Sequence, residues 1–204
     1  MKIVIATTNA GKVREIAAIL EEVCDPSTSF LGLIDAGLSD FDYKETGVTF
    51  AENAVGKAIA AAQAAGMPAI ADDSGLCVDA LEGAPGIRSA RWAGDLANDS
   101  DRNRALLELM DGIPIEKRAA RFVCAAALAI PDGTHAVAEG LCEGFISLNP
   151  RGQNGFGYDP IFYIKEYDRS MAELDLEIKN KISHRRKALC HLAELFNRFA
   201  VDYL

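Results

Sequence analysis

Two adjacent carboxylates, Asp72 and Asp73, are the side chains of this sequence best suited to bind a cation or accept a proton. They follow the apolar run 67–71 and precede Ser74 and Gly75, so the sequence predicts a buried strand that ends in a tight loop. Open α/β sheets gather their ligands in loops at the carboxyl ends of strands. Successive strand side chains point to opposite faces, which predicts different roles for the two aspartates. The alternative is an Asx-type turn in which both carboxylates bond only nearby backbone amides.

The turn near the N-terminus offers a second place for chemistry. Residues 7–12, Thr-Thr-Asn-Ala-Gly-Lys, combine hydroxyls, an amide, a glycine and a lysine at a predicted helix N-terminus. Free backbone N–H groups at such a terminus favour phosphate, so we interpret the turn as an anion-binding segment. It is not a Walker A loop, which has two spaced glycines before Lys-Ser/Thr. Capping of the helix by Thr8 or Asn9 explains the same residues without a ligand.

Basic residues are concentrated near the C-terminus of a chain whose net charge is -9. They are Lys179, Lys181, His184, Arg185, Arg186 and Lys187. His184 and Arg185 fall in the first turn of the last predicted helix, where positive charge opposes the helix dipole. A bound anionic or acceptor-rich ligand would account for this placement, and a solvated basic face is the alternative.

A glycine-rich segment at residues 152–160 provides a fourth group of candidates. Glycines allow the backbone to approach a flat ligand closely, and Phe156 offers a ring on which a nucleobase can stack. Asp159 adds a hydrogen-bond acceptor. The alternative is a loop whose Phe156 and Tyr158 anchor in the core.

The elements that must position these residues follow from hydrophobic periodicity and from turn and capping signals. Thr49 and Glu52 predict a capping box, and residues 131–133, Pro-Asp-Gly, predict a hairpin turn that makes the sheet mixed. The predicted strands are 2–7, 28–33, 118–130, 134–147 and 161–164, and the predicted helices are 10–23, 49–65, 98–111 and 183 to the end.

Length and composition predict one domain over residues 1–204, because 50% hydrophobic residues can form a substantial core. No segment approaches the roughly 20 apolar residues of a membrane span, and the start is interpreted as a strand rather than a signal peptide. The five widely spaced cysteines predict reduced thiols. The acidic balance disfavours nucleic acids and membrane surfaces as partners. We therefore expect a soluble, cytoplasmic protein.

Taken together, six segments resemble the Ham1 and inosine triphosphatase family. They are TTNAGK at 7–12, TFAENAVGKA at 49–58, PAIADDSGLCVDAL at 68–81, GAPGIRSARWAG at 83–94, GFGYDPIF at 155–162 and KISHRRKAL at 181–189. The resemblance implies an α/β fold with a long, curved, mixed sheet and flanking helices, in two lobes around a central nucleotide cleft. It also implies a homodimer that hydrolyses ITP, dITP and XTP to the monophosphate and pyrophosphate.

The resemblance assigns roles to individual residues. Asp73 would be the proton acceptor and would hold Mg²⁺ together with Glu45. The substrate-binding residues would be Thr7, Thr8, Asn9, Ala10, Gly11, Lys12, Lys57, Ser74, Phe156, Gly157, Tyr158, Asp159, Lys179, His184 and Arg185. Without the resemblance, Glu45 would be interpreted as a solvated loop charge and Lys57 as a surface lysine.

Two positions depart from the commoner family pattern: Thr8 stands where a glycine is frequent, and Asn154 precedes Gly155 where a second glycine is frequent. They affect the expected paths of the phosphate and base loops. One alternative function is a pyrophosphatase of the related Maf type, against which the segments at 156–160 and 183–185 argue. Another is a nucleotide-binding module without turnover, in which Asp73 would be incidental.

Overall fold

The computed structural model describes the backbone of residues 1–203 and the side chains of residues 1–195. The helices are α1 (Ala10–Val23), α2 (Phe50–Ala65), α3 (Asp99–Leu109), α4 (Leu176–Ile182) and α5 (His184–Tyr203). The strands are β1 (Lys2–Ile5), β2 (Ser29–Gly32), β3 (Ala69–Val78), β4 (Ala119–Ala129), β5 (His135–Ile146), β6 (Phe162–Ile164) and β7 (Arg169–Ser170). Each predicted helix and strand is present, with bounds shifted by a few residues at most except at the end of β3. Of the predicted last helix, Leu204 lies outside the described residues.

The seven strands form one mixed sheet in the order β2-β1-β3-β4-β5-β6-β7. Strand β1 pairs in parallel with β2 and β3, whereas β6 pairs antiparallel with both β5 and β7. The turn that joins β4 to β5 is closed by a hydrogen bond from Ile130 N to Thr134 O at 3.0 Å. The predicted hairpin and mixed sheet are therefore confirmed.

Strand β3 differs from its prediction because it does not end at the two aspartates. It extends for ten residues, Ala69–Val78, so Asp72 and Asp73 lie in the middle of a buried strand. The predicted loop at Ser74 and Gly75 is wrong. Helices cover both faces of β3 here, and the strand continues because the two carboxylates find buried partners there.

The N-terminus of α2 corrects a second detail. The Thr49 side chain accepts a hydrogen bond from Glu52 N, as a capping box requires. The Glu52 carboxylate, however, accepts from Val48 N at 2.8 Å and not from Thr49 N. The predicted start of the helix is confirmed, but the predicted capping box is only half formed.

The chain divides into two compact units, each assembled from separate segments. The first comprises Met1–Asp73, Cys124–Gly140 and His184–Leu204, and the second comprises Ser74–Val123 and Leu141–Ser183. The prediction of a single domain stays a prediction. No helix in the described part of the chain has the length and apolar character of a membrane span.

The first unit has a hydrophobic cluster on each face of its strands. One face packs isoleucines of β1 against α1 and α5. On the other face, alanines of α2 meet Val4 of β1 and alanines of β3 and β4, and the small side chains allow close approach of the helix. Because the faces alternate along β3, Ile70 and Asp72 share the α1 and α5 face, and Ala69 and Asp73 share the α2 face.

The second unit has its own core around β6. Phe122 and Phe162 pack with ring centroids 4.4 Å apart at an interplanar angle of 47°. Buried apolar side chains from α3 and from the segment after β6 complete the cluster. This core supports the glycine-rich segment that precedes β6.

Candidate active site

The turn before α1 is capped by its own asparagine. Asn9 Oδ1 accepts hydrogen bonds from Gly11 N at 2.9 Å and from Lys12 N at 3.1 Å, and Asn9 N donates to Thr7 Oγ1. The capping alternative considered for this turn is thus part of the structure. Thr8 and Ala10 are exposed beside it, and the role of the turn in binding phosphate stays a prediction.

Asp72 lies at the centre of a buried charge cluster in the first unit. Its Oδ2 accepts hydrogen bonds from Arg185 Nε at 3.1 Å and Nη2 at 3.0 Å, and lies 3.1 Å from Lys12 Nζ. Burial acts to raise the pKa of Asp72, but the charges of Lys12 and Arg185 outweigh burial and hold that pKa far below its usual range. Asp72 is therefore ionised at every physiological pH and unsuited to accept a proton.

The second anion of this cluster is Glu15 of α1, which the sequence analysis missed. Its Oε2 accepts from Arg185 Nη1 at 2.6 Å, and both side chains are buried. Burial alone would lower the pKa of Arg185, but Asp72 and Glu15 raise that pKa above its ordinary value. The cluster thus balances two cations, Lys12 and Arg185, with two carboxylates. A glutamate in the apolar stripe of α1, four residues before Ile19, was the available signal.

Asp73 lies in a different environment on the α2 face. Its Oδ2 accepts a hydrogen bond from Asn53 Nδ2 at 2.9 Å, within a buried setting. Burial raises the pKa of Asp73, and the nearby charge of Glu45 adds to the increase, while Asn53 and the lysines oppose it. Asp73 is the more basic carboxylate of the pair. The prediction that the two aspartates face opposite ways is confirmed. The sequence analysis missed Asn53 as the partner of Asp73, and the available signal was a polar residue among the alanines of α2.

Glu45 and Lys57 form an ion pair beside Asp73. Lys57 Nζ lies 2.7 Å from Glu45 Oε1, with side-chain exposures of 12% and 26%. Burial acts to lower the pKa of Lys57, but the charges of Asp72 and Glu45 raise it above its ordinary value. The segment that carries Glu45 packs closely on α2, since a Cβ atom on Gly56 would lie 2.0 Å from Tyr43 Oη. Neither residue is the freely solvated charge of the alternative interpretation.

These carboxylates fit a hard divalent cation. Glu45 and Asp73 provide oxygen donors only, and their mutual repulsion contributes to the raised pKa of Asp73. Among the described residues, no group of three or more His, Cys, Asp or Glu side chains is arranged to hold a metal. Mg²⁺ does not require such a group, because it keeps several waters and takes one or two protein carboxylates plus substrate phosphates.

The second unit positions a compact group around Phe156. Lys179 Nζ lies 2.7 Å from Asp159 Oδ2, and both side chains are at least nine-tenths buried. The same Asp159 oxygen accepts from Phe156 N at 2.9 Å, and Lys179 Nζ lies 4.7 Å from the centroid of the Phe156 ring. Gly155 has φ 77°, and a Cβ there would lie 2.0 Å from Asp159 Oδ2. Only glycine fits this position.

Tyr158 follows the core alternative that the sequence analysis left open. Its ring is buried and its hydroxyl donates to Ser89 O at 2.9 Å. Burial raises the pKa of the Tyr158 phenol well above its ordinary value. Phe156, by contrast, is only partly buried. A contact between the Tyr158 side chain and substrate stays a prediction.

The basic residues near the C-terminus do not form one positively charged cluster, because several of them pair with acidic residues at separate positions. Lys179 pairs with Asp159, Lys181 pairs with Glu177 on the surface, and Arg186 pairs with Glu22. His184 is buried at the start of α5. Lys179, His184 and Arg185 are therefore not part of a solvated basic face, whereas Lys181 and Lys187 are exposed.

The predicted site residues fall into two groups, one in each unit. In the first unit, the structure brings together Lys12, Glu45, Lys57, Asp72, Asp73 and Arg185. In the second unit, it brings together Phe156, Asp159 and Lys179. Ser74, partly buried, directly follows Asp73 in β3. The first group can bind phosphate and accept a proton, and the second can present a ring, an ammonium and a carboxylate to a nucleobase.

Comparison with known proteins shows that this α/β chain belongs to the Ham1 family, whose family model matches residues 3–195. A dITP/XTP pyrophosphatase of Geobacillus kaustophilus is 54% identical over 193 residues, which cover 95% of this chain and 93% of the relative. A dITP/XTP pyrophosphatase of Desulforamulus reducens is 49% identical and covers 98% of each chain. The structure of a HAM1 protein from Coxiella burnetii matches with a TM-score of 0.86 at 40% identity, over 97% of this chain and 99% of the other. The predicted family and α/β class with a mixed sheet are confirmed.

Proposed function

We propose that this chain hydrolyses deaminated purine nucleoside triphosphates, namely ITP, dITP and XTP, to the monophosphate and pyrophosphate. The relatives that carry the name dITP/XTP pyrophosphatase match nearly its whole length at about half identity. One structural observation carries the chemistry. Adjacent carboxylates on β3 have opposite environments, so that Asp72 stays ionised while Asp73 has a raised pKa.

In this proposal, Lys12, Lys57 and the turn at residues 7–12 bind the triphosphate. Their positive charge offsets the charge on the phosphate oxygens, which is the main requirement of phosphoryl transfer. Asp73 accepts a proton from the attacking water as the anhydride bond between the α- and β-phosphates breaks. A carboxylate with a raised pKa is a better base than an ordinary aspartate, and Asp73 is the residue of the pair able to change protonation state.

Asp72 has a positioning role. Its Oδ2 lies 3.1 Å from Lys12 Nζ and fixes the position of this ammonium group on α1. Lysine side chains have several rotatable bonds, and fixing one before substrate binds reduces the entropy lost on binding. Asp72 therefore supports phosphate binding without contact with the metal.

We further propose that Glu45 and Asp73 hold Mg²⁺, which when bound would neutralise charge on the phosphate oxygens. Glu45→Gln keeps the size of the side chain and removes its charge. It should raise the Mg²⁺ concentration that gives half-maximal turnover by about tenfold while turnover at saturating Mg²⁺ persists. Direct Mg²⁺ binding, followed by calorimetry without substrate, provides a second readout. An unchanged Mg²⁺ affinity in both measurements would place the metal elsewhere.

Base selection is assigned to Phe156, Asp159, Lys179, His184 and Arg185. Inosine and xanthine carry a 6-oxo acceptor where adenine carries an amino donor. An ammonium group such as that of Lys179 therefore favours inosine and xanthine over adenine. Buried polar groups that a wrong base leaves unpaired can reject it by about 10⁴ or more. In this structure Arg185 is held by Glu15 and Asp72.

We also propose a cytoplasmic homodimer that binds neither nucleic acid nor membranes. The homodimer rests on the family resemblance, and light scattering with size-exclusion chromatography measures it directly. The net charge of -9 favours a small substrate over a polyanion. None of the five cysteines, which all lie in the described part of the chain, forms a disulfide, as a reducing compartment requires.

Pyrophosphate release from ITP, dITP, XTP, GTP, ATP and dUTP tests the function, first with Mg²⁺ and then with EDTA. We expect Mg²⁺-dependent turnover of the inosine and xanthine nucleotides with ATP and GTP nearly inert. Asp73→Asn should abolish turnover while ITP still binds. Binding of ITP by the wild-type protein without any pyrophosphate release would instead identify a binding module, and a preference for pyrimidine nucleotides would indicate the Maf-type alternative.

A further inference from the structure

Gly157, the residue that follows Phe156, is held at its backbone N–H and at its backbone C=O by helix α3. Gly157 N donates to Asp99 Oδ2 at 2.7 Å, and Gly157 O accepts from Asn103 Nδ2 at 3.1 Å. Gly157 has φ 64°, a left-handed conformation in which its backbone groups cannot join a regular ladder. The two side chains lie one helical turn apart and together fix the orientation of the two peptide units on either side of the Gly157 Cα.

The hydrogen bond to Gly157 O explains why an asparagine occupies position 103. Asn103 is 5% exposed, and its Oδ1 has no hydrogen-bond partner among the described residues. A buried amide oxygen without a partner lowers stability, so an apolar side chain of similar size would pack better there. The N–H donated to Gly157 is the contact for which an asparagine is needed.

Asp99 is itself braced within the first turn of α3. It forms an ion pair with Arg102, whose guanidinium also donates to Ala90 O. Its carboxylate lies at the helix N-terminus, where negative charge is favourable. Because the Asp99 carboxylate is fixed in this way, it can determine the position of Gly157 N.

We propose that Asp99 and Asn103 are specificity-determining positioning residues, which fix the Phe156 ring for recognition of the base. Phe156 is held on its other side by the hydrogen bond from its own N–H to Asp159 Oδ2. Its ring therefore extends from a backbone that is fixed before and after it. This inference rests on the proposed function, since it concerns the nucleobase of the same substrate.

The experiment compares Asp99→Ala, Asp99→Asn and Asn103→Ala with the wild-type protein. Asparagine at position 99 retains an acceptor oxygen for Gly157 N, whereas alanine removes it. Loss of one such hydrogen bond should reduce the ratio of kcat/KM for ITP to that for ATP by about tenfold. The change should appear mainly in the KM for ITP, with kcat nearly retained, and Asp99→Asn should restore most of the ratio. Ser100→Ala, exposed on the same turn, is the matched control and should change nothing.

Calorimetric Kd values for IMP and AMP provide a second readout that does not require turnover. If the wild-type protein discriminates the bases and both alanine variants discriminate them equally well, the positioning role is wrong and the proposed function stands. A uniform fall of kcat for all nucleotides, with the ratio unchanged, would likewise reduce these residues to general structural support. If the wild-type protein itself distinguishes neither the triphosphates nor IMP from AMP, the proposed function fails and this inference fails with it.

Discussion

Asp72→Asn should destabilise the protein much more than the removal of an exposed charge, because Asp72 neutralises the buried Arg185 and the partly buried Lys12. Its Oδ2 lies within 3.1 Å of nitrogen atoms of both Lys12 and Arg185. Asparagine has nearly the same size, so the substitution removes the charge without creating a cavity. Glu15 alone would then face two positive charges.

The magnitude follows from burial. The Arg185 and Asp72 side chains are 1% and 0% exposed, so water screens neither charge. Removal of one partner from a buried ion pair costs about 3–5 kcal/mol, because the other charge stays buried without compensation. The whole free energy of unfolding of a native domain is only about 5–15 kcal/mol. The loss should therefore be a large fraction of the total.

Urea unfolding followed by circular dichroism measures this loss at neutral pH. Asp79→Asn is the matched control, because Asp79 pairs with Arg121 on the surface, where the side chains are 52% and 41% exposed. An exposed pair contributes at most about 1 kcal/mol. If Asp72→Asn costs no more than Asp79→Asn, the reasoning about the buried cluster is refuted.

The pH dependence provides an internal check on the same variant. The folded-state pKa of Asp72 is lowered, so its stabilising contribution is present above the unfolded-state pKa and is lost as the pH falls. The unfolding free energies of the wild-type and Asp72→Asn proteins should therefore converge as the pH drops below about 4. A constant difference down to strongly acidic pH would contradict the assigned pKa direction.

Three further outcomes are expected from single substitutions. Gly155→Ala should cost about 1–3 kcal/mol of stability through its positive φ and should also lose inosine selectivity, since its Cβ would meet the Asp159 carboxylate. Gly133→Ala has a similar φ of 94° with open space around the Cβ, so it should cost stability alone; loss of selectivity there too would contradict the contact argument. Asn53→Ala removes the hydrogen bond that lowers the pKa of Asp73, so the acid limb of kcat/KM should move to higher pH, and an unmoved limb would exclude Asp73 as the base.

Local signals in the sequence determined most of the secondary structure. The bounds of α1 match the prediction residue for residue, and Asn98 begins α3 with the capping partner Asp101. Such signals succeed because a cap, a turn or an amphipathic stripe involves residues only a few positions apart. The six family segments likewise predicted the family, which the comparisons confirmed.

Only the tertiary structure decided what each charged residue does. The sequence predicted that the strand ends at Asp72 and Asp73 in a tight loop, whereas burial by helices on both faces keeps them within β3. Arg185 contacts Asp72 and Glu15 across 113 and 170 residues of sequence, and no local pattern reports such a pairing. A buried charge must find its counterion wherever the fold brings one, because an unpaired charge in the interior is too costly to keep. For that reason the sequence could only propose candidate residues, whereas the fold gives Asp72 two cationic partners and leaves Asp73 with a raised pKa.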